Sequence, residues 1–404
     1  MAPRTDPVRA RMEGRDIIVL SAANRWKGIP MADQQLAAAL GRRFPVLYVE
    51  PPESAATRAR SGGPTAALRR DPVEVVEPGV IRFTPEGLPG LYRPGIAALN
   101  ARLSALQVRA MLRRLGARPA ACLEGNVMVP VMGRIGERST AYWAQDDAAG
   151  MAPLIGGRAH AYARAERRLA DDAHVVIAAN PVVAESLTTP WRRPVLIPFG
   201  CDAAHFSAAS SAGPAPEVHL ERPYAVFMGH LGERIDLPLL ERFTDDGGRL
   251  LLVGPLHPRG DADAFRRFAH RAGVQWVGAV EFGRLPRYLA QAAVGLVPYN
   301  RSRFNLGSFP LKALEYLAAG LPVVATPLPA MDWIGGPDVH TADGPELFST
   351  AVRKAMSAGR DEASDERRRA FARNHSWDAR ALTVLETLGL AAPPHHRNGS
   401  EAAP

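Results

Sequence analysis

The chain has little cysteine, almost no lysine and no long apolar run. Its cysteines number 2, Cys122 and Cys201. They stand apart and outside any cluster of ligand spacing, which argues against a disulfide framework or a zinc site and for a reducing, cytoplasmic setting. No apolar run approaches the ~20 residues that span a bilayer. Residues 1–14 are basic and carry no apolar segment before a cleavage site, so a secretory signal is not expected, and they read as a disordered arm. No G-x-G-x-x-G follows Ala22 or Met228, which argues against a dinucleotide oxidoreductase. The reading finds no Asp-x-Asp and no His/Cys cluster of ligand spacing, so no metal is expected.

The chain is otherwise rich in charge and in sheet-forming segments. With 404 residues, 47% hydrophobic and 22% charged, it is globular and too long for one ordinary core. The net charge of +8 favours anionic partners: nucleoside diphosphates, lipid phosphates or nucleic acid. The basic residues are dispersed and no recognition motif interleaves them with aromatics, which argues against nucleic acid. Nearly all the cations are arginine. The lysines are Lys27, Lys312 and Lys354.

An apolar run at Asp16–Ala22 leads through Asn24, Trp26, Lys27 and Gly28 into a helical pattern at Met31–Leu40 and a second strand at Val46–Glu50. That is the rhythm of a parallel α/β sheet, whose ligands bind at the carboxyl ends of the strands, so Asn24–Gly28 belongs at a cleft. A Pro/Ala/Arg-rich loop follows at 51–71, then a hairpin around Pro78-Gly79. Ile96–Leu115 has helical spacing, with Leu99, Leu103, Leu106 and Leu112 apolar and Arg102, Arg109, Arg113 and Arg114 basic. Such a helix either touches an anionic membrane surface or covers a sheet with its arginines in water. Further strands are expected at Ala120–Leu123, at Ala141–Asp147 (ending in Asp146 and Asp147) and at His174–Ala179.

Residues 207–218 are small and proline-bearing, a linker. Beyond it the rhythm repeats, with strands at Tyr224–Met228, Arg249–Val253, Val274–Val277, Val294–Val297 and Pro322–Ala325. The organisation expected is a basic arm (1–14), an N-terminal Rossmann-like domain (15–206), a linker (207–222) and a C-terminal Rossmann-like domain (223–375). A last helix (376–390) and a disordered tail (391–404) follow.

One stretch, Phe304–Thr326, reads as loop, helix, turn and buried strand. Ser308 is a good N-cap, Pro310 suits the first turn and Gly320 the C-terminal turn. Lys312 and Glu315, three apart, share a helix face near the amides of that start. A cation, a carboxylate and free amides suit a ligand with phosphates at one end and hydroxyls at the other, such as a nucleotide sugar. The alternative is a capped helix with a local Lys312–Glu315 ion pair.

Three segments carry a resemblance to a known family: Ile197-Pro198-Phe199-Gly200-Cys201-Asp202 with Phe206, the run PLKALEYLAAGLPVVAT from Pro310, and His375-Ser376-Trp377-Asp378. In this order they resemble the GT-B glycosyltransferases of family four, the group 1 type. GERIDLPLL, from Gly232, resembles the subset tied to teichuronic-acid and surface-polysaccharide synthesis. The resemblance implies two Rossmann-like parallel-sheet domains facing a cleft, with the C-terminal helix returning to the first domain. It implies a cytoplasmic enzyme, free or peripheral at the inner face of the membrane, that moves a sugar from a nucleoside diphosphate to a glycan or polyprenyl- or lipid-linked acceptor, with retention and without a cofactor. A non-catalytic scaffold that binds nucleotide sugar is the other reading.

Under the resemblance, Glu315 holds the ribose hydroxyls, and Arg234 and Lys312 hold the diphosphate. Gly229, His230, Gly307, Ser308 and Leu311 contact the donor. Asn24, Trp26, Lys27 and Gly28 lie on the acceptor side. The family's first glutamate of E-x7-E falls at Gly307, so its contact with the sugar is not carried over. Asp146 and Asp147 are read either as base and acceptor-orienting groups or as a helix cap with a solvated partner.

Overall fold

The computed structural model describes residues 12–28, 30–62, 72–90, 93, 95–257 and 261–390. The first strands are β1 (Asp16–Ser21), β2 (Val46–Val49), β3 (Val73–Glu77) and β4 (Val80–Phe83). They are followed by β5 (Arg118–Glu124), β6 (Ser139–Ala144), β7 (Val175–Ala178) and β8 (Val195–Leu196). They form one sheet in the order β3-β4-β2-β1-β5-β6-β7-β8, parallel except for the β3–β4 hairpin. A second, wholly parallel sheet holds β9 (Ala225–Met228), β10 (Leu250–Val253), β11 (Val274–Trp276), β12 (Val294–Val297), β13 (Val323–Ala325) and β14 (Val339–Thr341). Its order is β11-β10-β9-β12-β13-β14. Helices cover both faces of a parallel sheet, so its central strands are continuous apolar runs. Ile17 through Leu20 and Leu250 through Leu252 accordingly have no exposure.

The helices that position the site are α1 (Ala32–Gly41), α2 (Ile96–Leu115), α3 (Ala159–Asp172), α4 (Leu311–Ala318) and α5 (Trp377–Thr387). Helix α5 returns to the first sheet and packs on α1, where Arg42 Nη2 meets Asp378 Oδ1 at 3.0 Å. Two of the recognised segments meet at this crossing. Cys201 pairs with Ser376 as an isolated parallel bridge: the Cys201 amide donates to His375 O and the Trp377 amide to Cys201 O. A Cβ at Gly200 would lie 2.6 Å from Trp377 N, so only glycine lets the strands cross this closely.

Four departures from the sequence reading lie outside the cleft. Met12, assigned to a disordered arm, is buried in the first core at 1% exposure, and an apolar side chain beside that core is withdrawn from water. Residues 1–11 and 391–404, the rest of the arm and the tail, lie outside the described residues. The loop at 51–71 contains a helix, Ala55–Gly62, because Ser54 Oγ accepts from the Thr57 amide and caps a run of good helix formers. The linker is packed rather than free: Ala215 is buried and Arg287 Nε donates to Gly213 O.

The fourth departure concerns α2. Its buried face is Ala97, Ala101, Ala105, Val108, Met111 and Leu112, while Leu99 and Leu106 are 45% and 59% exposed. Small residues let the helix axis approach the sheet, and that close approach decides which of two apolar stripes is covered.

Candidate active site

The carboxyl ends of the two sheets face each other across a cleft. On the second-domain side, β9 ends at Met228, next to Gly229, and β12 ends at Val297, two residues before Tyr299. Lys312, in the first turn of α4, is buried at 8% exposure. Its Nζ donates to Tyr299 Oη at 2.6 Å and stands 4.1 Å from the Phe227 ring centre. Burial lowers its pKa, and the aromatic faces partly replace lost hydration. A Cβ on Gly229 would come within 2.7 Å of that ammonium, so what approaches this glycine is the Lys312 side chain.

Arg234 lies over Tyr299, 4.4 Å from its ring centre, and 4.7 Å from that of Phe304. Its Nε donates to Asn305 Oδ1 at 2.8 Å and its Nη2 to Ser308 Oγ at 3.0 Å. Burial raises the Tyr299 pKa, but the charges of Arg234 and Lys312 outweigh it and hold the phenol below its usual value. The carboxylate of Glu315, one turn along α4, has no hydrogen-bond or ion-pair partner among the described residues. Burial pushes its carboxyl up to about 7, against the pull of Lys312. The two do not pair, so the local ion pair considered from the sequence does not form.

Ser308 does not cap α4. Pro310 occupies that position, and the Gly307 and Ser308 amides donate to Arg303 O and Asn305 O, closing the short helix Arg303–Leu306. Ser308 instead receives the Arg234 guanidinium. Leu311 is half-buried at the start of α4, and His230 is exposed at the rim, 6.0 Å ring to ring from His257.

On the first-domain side, Asp146 and Asp147 follow β6 and part ways. Asp147 caps the helix Ala148–Met151 by accepting from Gly150 N at 3.0 Å and binds Arg303 Nε of the other domain at 2.6 Å. Arg303 is largely exposed, so that pair contributes less than about 1 kcal/mol. The Asp146 carboxylate accepts no hydrogen bond from the described residues. Burial pushes its carboxyl up to about 6, opposed by the Arg234 charge across the cleft. Backbone contacts also join the domains: Asp147 N donates to Gly307 O at 3.3 Å and Asn180 Nδ2 to Ser308 O at 2.7 Å.

The loop after β1 is held rather than free. Asn24 gives two bonds to the buried Asp33, and the Trp26 amide donates to Glu50 Oε1. The Trp26 ring packs edge-on against Tyr48 and lines a cavity of about 660 Å³ with Asp202, Phe282 and Trp377. Lys27 and Gly28 are exposed. The sequence reading missed Tyr299, Phe227 and Asn305: Tyr299 and Phe227 stand just after and near the end of buried strands, whereas Asn305 lies in the short helix before α4 and carried no signal of its own. The sequence reading also overlooked one Asp-x-Asp, Asp261-Ala262-Asp263, but Asp261 caps a helix at Ala264 N and Asp263 pairs with Arg266. Among the described residues no group of three His, Cys, Asp or Glu is placed to hold a metal ion.

Residues 228–358 match the family described as glycosyl transferases group 1. The TuaH protein of Bacillus subtilis (strain 168), provisionally named a teichuronic acid biosynthesis glycosyltransferase, is 30% identical over 169 residues. That alignment covers 41% of this chain and spans 42% of the relative. The fold matches sucrose-phosphate synthase of Thermosynechococcus elongatus at a TM-score of 0.69, with 17% identity over 92% of this chain and 98% of that one. It also matches Anabaena Alr3699/HepE, solved with UDP and glucose, at 0.61, with 15% identity over 93% and 100%. The two-sheet architecture is GT-B. The matched stretch contains Gly229, His230, Arg234, Tyr299, Gly307, Ser308, Leu311, Lys312 and Glu315, whereas Asp146, Asp147 and Asn24–Gly28 belong to the other domain. Among the described residues no helix is long and apolar enough to cross a membrane.

Proposed function

We propose that the protein moves a sugar from a nucleoside diphosphate to a hydroxyl of a glycan or lipid-linked acceptor in cell-surface polysaccharide or glycolipid synthesis. The transfer retains anomeric configuration, needs no metal ion, and takes place in the cytoplasm at the inner face of the membrane. One observation carries this reading. Two cations held on aromatic rings, with the unpartnered Glu315 beside them, face the unpartnered Asp146 across the cleft. The teichuronic acid name of the Bacillus relative and the UDP and glucose in the Anabaena structure support the substrate class.

In this reading Arg234 and Lys312 hold the diphosphate. The acceptor hydroxyl attacks the anomeric carbon, the bond from that carbon to the diphosphate oxygen breaks, and the bond pair stays on the phosphate. The hydroxyl proton passes to that same phosphate oxygen. Charge grows on the diphosphate as the bond breaks, which is where fixed cations help most. Asp146, with its carboxyl near 6, is ionised at neutral pH and orients the acceptor hydroxyl. Glu315 accepts from the ribose hydroxyls, and the cavity beside Trp26 takes the acceptor.

A panel of nucleotide sugars tests the reading by thermal shift and by release of nucleoside diphosphate, with and without EDTA. One donor is expected to raise the melting temperature, by about 2.7 kcal/mol of stabilisation at a hundredfold excess over Kd, and to be hydrolysed slowly in either condition. A shift without release, even with lipid extract as acceptor, would favour a scaffold. No shift with any donor would overturn the reading.

The Glu315 assignment has its own signature. The ionised carboxylate is the better acceptor for ribose hydroxyls, so donor affinity is expected to rise with pH through about 7, where burial has placed the Glu315 carboxyl. Glu315→Gln should bind donor weakly and without that rise. An unchanged pH profile in the variant would remove Glu315 from the ribose.

A further inference from the structure

Asp33, the second residue of α1, has no exposure and takes no part in the steps proposed above. A carboxylate in the first turn of a helix suits the partial positive charge there, but an exposed one would serve that purpose equally well. Burial disfavours the charge and raises the Asp33 pKa, so the bonds it makes have to offset that cost. Its Oδ2 accepts from the Asn24 amide at 3.0 Å and from Asn24 Nδ2 at 2.6 Å. Its Oδ1 accepts from Gln145 Nε2 at 2.7 Å.

The two partners come from different loops. Asn24 follows β1, two residues before Trp26, and its carbonyl accepts from Tyr48 Oη at 2.7 Å. Gln145 follows β6 and directly precedes Asp146. Strand β5 lies between β1 and β6 in the sheet, so the Gln145 side chain has to cross the end of β5 to reach Asp33. Gly125, just past β5, leaves that passage open. A Cβ there would lie 2.8 Å from Gln145 Nε2 and 3.5 Å from Asp33 Oδ1. A buried anion with three donors, and a glycine matched to the spanning amide, make a built connection between the loops.

We infer that Asp33 is a positioning residue of the acceptor side, acting through Asn24 and Gln145 to hold the Trp26 loop and Asp146 in one fixed relation. In the transfer proposed above, on which this inference rests, Asp146 orients the acceptor hydroxyl and the cavity beside Trp26 receives the rest of the acceptor. Each loop therefore holds the acceptor at one point. Slack between them misplaces the attacking oxygen, and an error of about 1 Å costs on the order of a hundredfold in rate. Asp33 also acts through space. The charges that bear on Asp146 are Arg234, which lowers its pKa, and Asp33 and Asp147, which raise it.

Two substitutions in the full chain separate tether from charge. Gln145→Met removes the bond to Asp33 and leaves the Asp33 charge; Gln145 is half-buried, so the change is mild for the fold. Asp33→Asn keeps the shape and removes the charge. With carbon-13 at the aspartate carboxyls, NMR follows the Asp146 resonance, assigned by its loss in Asp146→Asn, and needs no sugar donor. Wild-type Asp146 is expected to titrate at about 6. In Asp33→Asn the midpoint should shift to lower pH, because loss of a neighbouring negative charge favours ionisation. A merely structural Asp33 would lower the melting temperature and leave that midpoint in place, which would overturn the inference.

With the donor found by the panel and lipid extract as acceptor, both variants should lose about tenfold to hundredfold in nucleoside diphosphate release. Their donor-induced thermal shifts should stay at the wild-type value. Wild-type rates, or donor affinity falling in step with rate, would also overturn the inference. Should Asp33→Asn not fold, Gln145→Met decides alone, by rate lost at unchanged donor affinity. A moved Asp146 midpoint in a protein that binds no donor would remove the transfer reaction and leave the link from Asp33 to Asp146 standing.

Discussion

Replacing Arg234 by alanine is expected to slow nucleoside diphosphate release about a hundredfold while donor affinity falls about tenfold or less. The asymmetry follows from where charge grows. The bound diphosphate already carries its charge before reaction, but its bridging oxygen becomes more negative as the bond to the sugar breaks. A cation aimed at that oxygen stabilises the transition state more than the ground state. Lys312→Ala should act in the same way, and for Lys312 the effect has a second source. Its ammonium is buried against Phe227 and Tyr299 and is poorly hydrated, so its attraction for a phosphate is stronger than that of a surface lysine. Arg234→Lys separates charge from shape. It keeps a cation but loses the fork that spans Asn305 and Ser308, and its rate should fall between the two. The measurement is steady-state release of nucleoside diphosphate beside calorimetric donor binding for each variant. Equal losses in rate and affinity would reduce both cations to simple binding groups.

The second half of the chain could be read from its residues because chemistry and position there are local. Lys312 and Glu315 are three residues apart on one helix, and that spacing is visible without a structure. The partners of Arg234 were not visible. Asn305 and Ser308 lie 71 and 74 residues away in the chain, and only the fold of the second sheet brings them to the guanidinium. Asp147 shows the same limit, because its cationic partner Arg303 comes from the other domain. Helix α2 failed for a different reason. Its sequence contains two apolar stripes, one of leucine and one of alanine, valine and methionine. Periodicity ranks the larger side chains higher, whereas the distance between helix and sheet favours the smaller ones. Ser308 failed because two short helices follow each other: the residue that looks like a cap for the second lies in the turn that ends the first.

The other large effect is expected at Gly307, where the family pattern has glutamate. A Cβ at this position would lie 2.8 Å from Asp147 Cβ, closer than real Cβ contacts allow, so even alanine requires the two domains to move apart. The contact is more than steric, since Asp147 N donates to Gly307 O and the Asp147 carboxylate holds Arg303 from the same turn. Gly307 and Asp147 therefore fit each other across the cleft, and the small residue on one side is matched to the carboxylate on the other. Overpacking of this kind costs about 1–3 kcal/mol, which is about a tenfold to hundredfold shift toward separated domains. Gly307→Ala should lower turnover by that factor with little change in melting temperature, because each domain keeps its own core. Gly307→Glu should lose still more rather than regain a family-like contact, for its larger side chain meets the same obstruction. The decisive variant is Gly307→Ala combined with Asp147→Gly, which removes the obstructing Cβ. The single Asp147→Gly change forfeits a helix cap at about 1 kcal/mol, yet the double variant should turn over faster than Gly307→Ala alone. A positive coupling in that cycle would establish the closed contact as part of the working state. Additive losses would mean that the enzyme reacts with its domains further apart than they stand here.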